Sequence, residues 1–216
     1  MTETRALFLA TVGAAAPLLA EPALAERFDG PSALAEFSVR GLAGHLSRAL
    51  TVVETYLDGP GPGPGAAAGA ISAAEYYARV AAVPADLSDP FHQAIRQRGA
   101  EAAPADPAEF PGRWAATADR LAARLEAEPP GRLVQVFGDL VLTLDEYLVT
   151  RLIELVVHAD DLAVSLGVAA PPLPPAATGL VIATLVEVGR IRHGDTAVVR
   201  ALTRRERDTA GALRVL

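Results

Sequence analysis

The chain has 216 residues, 51% hydrophobic and 21% charged, with a net charge of −7. That length and balance suit a packed globule rather than a disordered chain. The absence of cysteine excludes disulfides, thiolate zinc sites and a cysteine nucleophile, and the absence of lysine excludes Schiff-base chemistry and a lysine-bearing P-loop. An acidic total with no basic run points away from nucleic acid.

In chain order, residues 5–28 read as a first helix with Leu7, Leu9, Val12, Leu18, Leu19, Leu24 and Phe28 on its apolar side, restarted by Pro22. Pro17, Glu21 and Pro22 interrupt the stretch, so it reads as a buried helix rather than a membrane span or a signal sequence. Ser38 is the expected N-cap of a second helix running to about Leu57, with Leu42, Leu46, Ala49, Leu50 and Val53 at helical spacing. His45 lies beside that core face. Gly41 and Gly44 close by suit a place where another helix or a ligand comes near. Taken alone, His45 reads first as a satisfied core histidine.

The alternating Gly-Pro run 59–65 reads as a surface loop. It lacks the preceding strand that a phosphate-binding loop needs. Ser72-Ala-Ala-Glu75 is a capping box that opens a short helix to Val80, carrying Tyr76 and Tyr77. Further helices are expected from Pro90 to about Ala103 and from Asp106 to about Glu128, the latter with Phe110, Trp114, Leu121 and Leu125 inward. His92, in the first of these, reads as a partly exposed surface residue. Residues 132–137 and 140–143 suit a small β-hairpin turning at Gly138-Asp139. A second capping box, Thr143 to Glu146, opens a long helix that Gly167 should close.

That long helix, 144–166, carries the chemistry. Tyr147, Arg151, Glu154, His158 and Asp161 are spaced four, three, four and three, which sets all five on one stripe of an otherwise oily helix. An unpaired charge there is costly, so these groups should pair, neutralise or bind a metal. Glu154 and His158 at i,i+4 can reach one ion, but an isolated pair of this kind reads first as a helical salt bridge or a core histidine held by a carboxylate. A helix over 176–193 follows, with Leu180, Ile182, Leu185, Val186, Val188 and Ile191 mostly inward. His193 at its end suits the helix dipole. A last short helix, 195–205, and a strand over 211–216 complete the expected elements.

Two segments resemble a known family. Phe37-Ser-Val-Arg-Gly-Leu42-Ala-Gly-His45-Leu46 is similar to W-t-v-r-d-L-x-x-H-L. Tyr147-Leu-Val-Thr-Arg151-Leu-Ile-Glu154-Leu-Val-Val-His158-Ala-Asp-Asp161-Leu162-Ala163 is similar to Y-x-x-x-R-x-x-E-x-x-x-H-x-W-D-L-A. Both resemble the mycothiol-dependent maleylpyruvate isomerase family of the DinB-like superfamily. The resemblance implies a mainly all-α, four-helix DinB-like bundle with extra short helices and a small hairpin. It implies a divalent metal, usually zinc, on His45, Glu154 and His158, which act in catalysis through that metal, with a mycothiol-like thiol as cosubstrate. Arg151 and Asp161 then become supporting residues around the ligands. Phe37 stands where the family has tryptophan, Asp160 stands where it has an aromatic residue, and the tail after His193 is shorter than the isomerase's sterol-carrier-like domain.

The expected function is activation of a small thiol for attack on a small electrophile, as in S-transferases and isomerases. The same ligands also suit a metal-dependent hydrolase or a non-catalytic metal- or small-molecule-binding bundle. The open metal position is expected to face a pocket lined by Tyr76, Tyr77 or apolar groups of residues 72–103. The whole of 1–216 is expected to form one domain, with 194–216 a short extension. A cytoplasmic monomer or homodimer, with no membrane partner, is the expected state.

Overall fold

The computed structural model describes residues 1–59, 61–63, 65–80, 88–137, 140–207 and 211–215. The fold is mainly helical, as expected, with one two-stranded sheet among the described residues. Four long helices, α1 (Glu3–Ala15), α3 (Val39–Asp58), α6 (Phe110–Ala127) and α7 (Leu144–Leu166), form the bundle. Each of α1 and α3 packs on both α6 and α7, closing a ring of four neighbours. Phe8 and Val12 of α1, Leu42, Leu46 and Leu50 of α3, Leu121 and Leu125 of α6, and Leu148, Leu152 and Leu155 of α7 fill the centre. Burying each of these large side chains stabilises the fold by roughly 1.5–3 kcal/mol.

Local sequence sets most boundaries. Ser38 Oγ accepts from Gly41 N at 3.0 Å and Thr143 Oγ1 accepts from Glu146 N at 3.1 Å, so both expected N-caps form. Gly167, left-handed at φ 72°, closes α7. The first helix differs from expectation. α1 ends at Ala15, a 3₁₀ turn spans Ala16–Ala20, and α2 (Pro22–Arg27) follows. Pro17 has no N–H to give the α-helical ladder, and the chain passes there from α-helix to a 3₁₀ turn, ahead of the expected restart at Pro22. Glu3–Ala20 is long and apolar enough to cross a membrane, yet its Phe8, Val12, Ala15, Leu18 and Leu19 are buried in the core.

Strands β1 (Leu133–Val136) and β2 (Leu140–Thr143) pair antiparallel, Val134 opposite Leu142, and lead directly into α7. The expected Gly138-Asp139 turn lies outside the described residues. Around the bundle sit α4 (Ala73–Val80), α5 (Pro90–Ala102), α8 (Pro175–His193) and α9 (Asp195–Thr203). α5 packs closely on α3 because both are bare at the crossing. A Cβ on Gly44 would collide with the carbonyl of Gly99, and one on Gly99 would lie 2.6 Å from Gly41 O.

Two expectations at the C-terminal end are corrected. α8 packs on α4, α9, α7 and α1, and Val188 is buried with Leu180 and Leu185 against the core as expected, but Ile182 and Ile191 face outward. Residues 211–215 form a turn rather than a strand, with Arg214 N donating to Gly211 O at 2.8 Å. Ala212 and Val215 are buried there, with the Ala212 carbonyl pressed against Gly189 of α8.

Candidate metal centre

Three elements meet at the oily middle of α7. α3 brings His45, α7 brings Glu154 and His158, and α4 brings Tyr77. The placement of α4 follows from its start. Ser72 and Glu75 form the expected reciprocal cap, Ser72 N donating to Glu75 Oε2 at 2.9 Å and Glu75 N to Ser72 Oγ at 3.2 Å. Ala73 N donates to Glu146 Oε2 at 2.7 Å, tying α4 to the first turn of α7. One turn further on, Tyr77 lies over Thr150 and Glu154.

His45 and Glu154 are 109 residues apart in the chain, yet His45 Nε2 lies 3.2 Å from Glu154 Oε2. His158 Nε2 lies 3.2 Å from the same oxygen. One donor atom from each of the three lies within 4.8 Å of the others, close enough to hold a metal ion. The two imidazoles meet edge to face, with centroids 4.7 Å apart. Burial pushes Glu154 up, but hydrogen bonds with His158 and His45 and the charge of Arg151 outweigh it and hold the carboxyl well below the usual range. Burial pushes His158 down, yet its bonds to Asp161 and Glu154 win and carry it up to about 9.

The surrounding groups orient these three. His158 Nδ1 donates to Asp161 Oδ2 at 2.9 Å, which turns Nε2 toward Glu154. Arg151 Nη2 is 3.7 Å from Glu154 Oε1, and its guanidinium lies 5.1 Å from the Tyr147 ring centroid. The stripe read from the sequence is thus real: all five of its members face this region. His45 Nδ1 is buried and has no hydrogen-bond partner among the described residues. Its ring is held by contact instead, with His158 and with Phe37, whose centroid is 5.9 Å away. Phe37 thus touches the site at the position where the family carries tryptophan.

From the sequence, Tyr77 is expected to pack in the core or to line a pocket. The structure buries it and points its hydroxyl at Glu154 Oε1, 2.8 Å away. Burial, then the Glu154 charge, raises the phenol well above its usual range and keeps it a donor. Nothing in the residue spacing announces this contact, since α4 and α7 are joined only through tertiary packing. Residues 81–87, part of the 72–103 region expected to line a pocket with Tyr76 and Tyr77, lie outside the described residues. One surface cleft is lined by Val156, Val157, Asp160, Asp161, Leu173 and neighbouring residues, and another by residues 25–31. Neither is lined by His45, Glu154 or His158. Asp160 is exposed on the outer side of α7, away from the ligand group. His92 sits half-buried beside Phe91, and His193 is exposed at the end of α8, both apart from the site.

The pattern of the family described as the mycothiol maleylpyruvate isomerase N-terminal domain matches residues 9–163. The chain belongs to this family. The match takes in α3, α4 and nearly all of α7, and so every residue just placed around Glu154. The mycothiol maleylpyruvate isomerase family links the site to thiol chemistry at the level of the family, while α8, α9 and the tail lie beyond the matched region. No curated protein and no solved structure matches the chain.

Proposed function

We propose that the chain is a thiol-dependent transferase or isomerase in which His45, Glu154 and His158 hold a divalent ion, zinc by the character of the donor set. The observation that carries this reading is the convergence of the three side chains within 4.8 Å, backed by Asp161 on the far nitrogen of His158. An ion held by two imidazoles and one carboxylate keeps a position for an outside donor and, as a Lewis acid, lowers the pKa of a thiol there.

The chain's own residues supply the rest. Asp161 holds the proton on His158 Nδ1, leaving Nε2 as the donor. Tyr77 and Arg151 hold Glu154 from its other oxygen. The chain has no sulfur nucleophile, so the thiol is a cosubstrate, and the family makes it mycothiol-like. The electrophile is a small molecule whose carbon accepts that sulfur.

Turnover of a panel of small electrophiles with mycothiol, before and after chelation, tests this. The wild type should turn over only with thiol and metal together, and His158→Ala should lose activity. Metal-dependent but thiol-independent hydrolysis would replace this reading with a hydrolase. Full thiol-dependent activity in His158→Ala would overturn the metal role.

A further inference from the structure

Glu154 uses its two oxygens differently. Oε2 faces both histidine Nε2 atoms, each at 3.2 Å. Oε1 faces away from them. It accepts the Tyr77 hydroxyl at 2.8 Å and has the Arg151 guanidinium at 3.7 Å. A phenol has one proton, and the 3.3 Å distance to Thr150 O makes that carbonyl the lesser acceptor.

We propose that Tyr77 is a positioning residue that commits Glu154 to a metal through Oε2 alone. This rests on the metal reading above. A ligating carboxylate with a free second oxygen can turn and bind with both, which fills a coordination position. Engaging Oε1 in a short hydrogen bond opposes that turn and keeps the position available to an outside donor.

The phenol is held independently of Glu154. The Ser72–Glu75 cap and the bond from Ala73 N to Glu146 fix the start of α4. From α8, Arg192 Nη2 donates to Tyr77 O at 2.8 Å, while its Nη1 donates to Val215 O at 2.9 Å. Tyr77 is therefore aimed from three sides before any ion arrives.

The test compares the full-length wild type with Tyr77→Phe, each stripped of metal and titrated with Co²⁺. Affinity is read by competition with a chelator, coordination by the intensity of the visible ligand-field bands. 2-Mercaptoethanol serves as the thiol probe, read by its sulfur-to-cobalt charge-transfer band. Wild type should bind one ion with intense, four-coordinate bands and show the charge-transfer band. Tyr77→Phe should bind about 10- to 100-fold more weakly, with fainter bands of higher coordination and a reduced thiol signal. Circular dichroism confirms that it is folded.

Arg192→Met keeps the hydroxyl but releases the Tyr77 carbonyl, and should shift the same signals in the same direction by a smaller amount. It carries the test if Tyr77→Phe does not fold. Wild-type affinity and spectra in both variants would overturn the role of Tyr77 alone. Failure of the wild type to bind Co²⁺ would overturn the metal reading, and this proposal with it.

Discussion

Arg5, buried, and Arg151, half-buried, both lie against α7, one at its first turn and one near its middle, and they are satisfied very differently. Arg5 uses four of its five N–H donors. Its Nε donates to Asp145 Oδ1 at 2.9 Å, Nη1 to the carbonyls of Leu125 and Glu128, and Nη2 to that of Pro129. It thereby closes the C-terminal end of α6, whose last carbonyls have no helical partners, and ties it to the start of α7. Arg151 makes one hydrogen bond, from Nε to Thr150 Oγ1 at 3.0 Å, and none from its terminal nitrogens among the described residues. The remaining attraction, to Glu154, acts across 3.7 Å. A nearly saturated buried cation is an architectural device. An unsaturated one beside a candidate ligand set is placed for the site.

The largest expected effect breaks the first half of this contrast. Arg5→Ala strips Asp145 of its ion pair, leaving it only the Thr2 hydroxyl, and leaves three carbonyls without their partner; it should cost about 3–5 kcal/mol in chemical denaturation. The gain in stability on adding Zn²⁺ should survive in its folded fraction, because no ligand is touched. A loss under about 1 kcal/mol would remove Arg5 from the architecture.

Gly44→Ala falls between the two halves. The added methyl collides with Gly99 and pushes α5 off α3 directly behind His45. We expect a loss of about 1–3 kcal/mol together with weaker metal binding. Unchanged metal affinity would show that the backing of α3 does not matter to His45.

Arg151→Met should reverse the Arg5 pattern. Stability should stay within about 1 kcal/mol, since an apolar replacement for a loosely paired buried ion is often neutral. Metal affinity, measured by chelator competition, should fall by roughly tenfold. A large loss of stability with intact affinity would make Arg151 a second Arg5. The smallest effect is expected from Asp161→Asn, which keeps an acceptor for His158 Nδ1 but removes the charge. Calorimetric titration should show affinity reduced by up to about tenfold.

What the sequence revealed follows the reach of local rules. The caps at Ser38, Ser72 and Thr143, and the stripe on α7, are set by residues three or four apart, so they could be read directly. His45 was reached by family resemblance, because spacing cannot bring α3 to α7. Gly44 was recognised as a place of close approach, but its partner, Gly99, lies on another helix. Tyr77 and Arg5 stayed hidden for the same reason. A tyrosine in a short helix and an arginine in an oily one carry no local mark of their acceptors, which arrive from 77 and from 120–140 residues away. The tail misled because Ala212, Leu213 and Val215 read as a strand, whereas the notch at Gly189 accepts them as a turn.

The Arg192 bridge has a consequence for engineering. The family's shared region ends at residue 163, yet the bond that steadies Tyr77 comes from residue 192, and its other arm grips Val215. A fragment trimmed to residues 9–163 would keep all three candidate ligands and lose that brace. Conversely, a mutant library confined to residues 164–215 could retune the grip on Glu154 without altering a single ligand. Selecting such a library for binding of different divalent ions would be a way to change metal preference from outside the ligand shell.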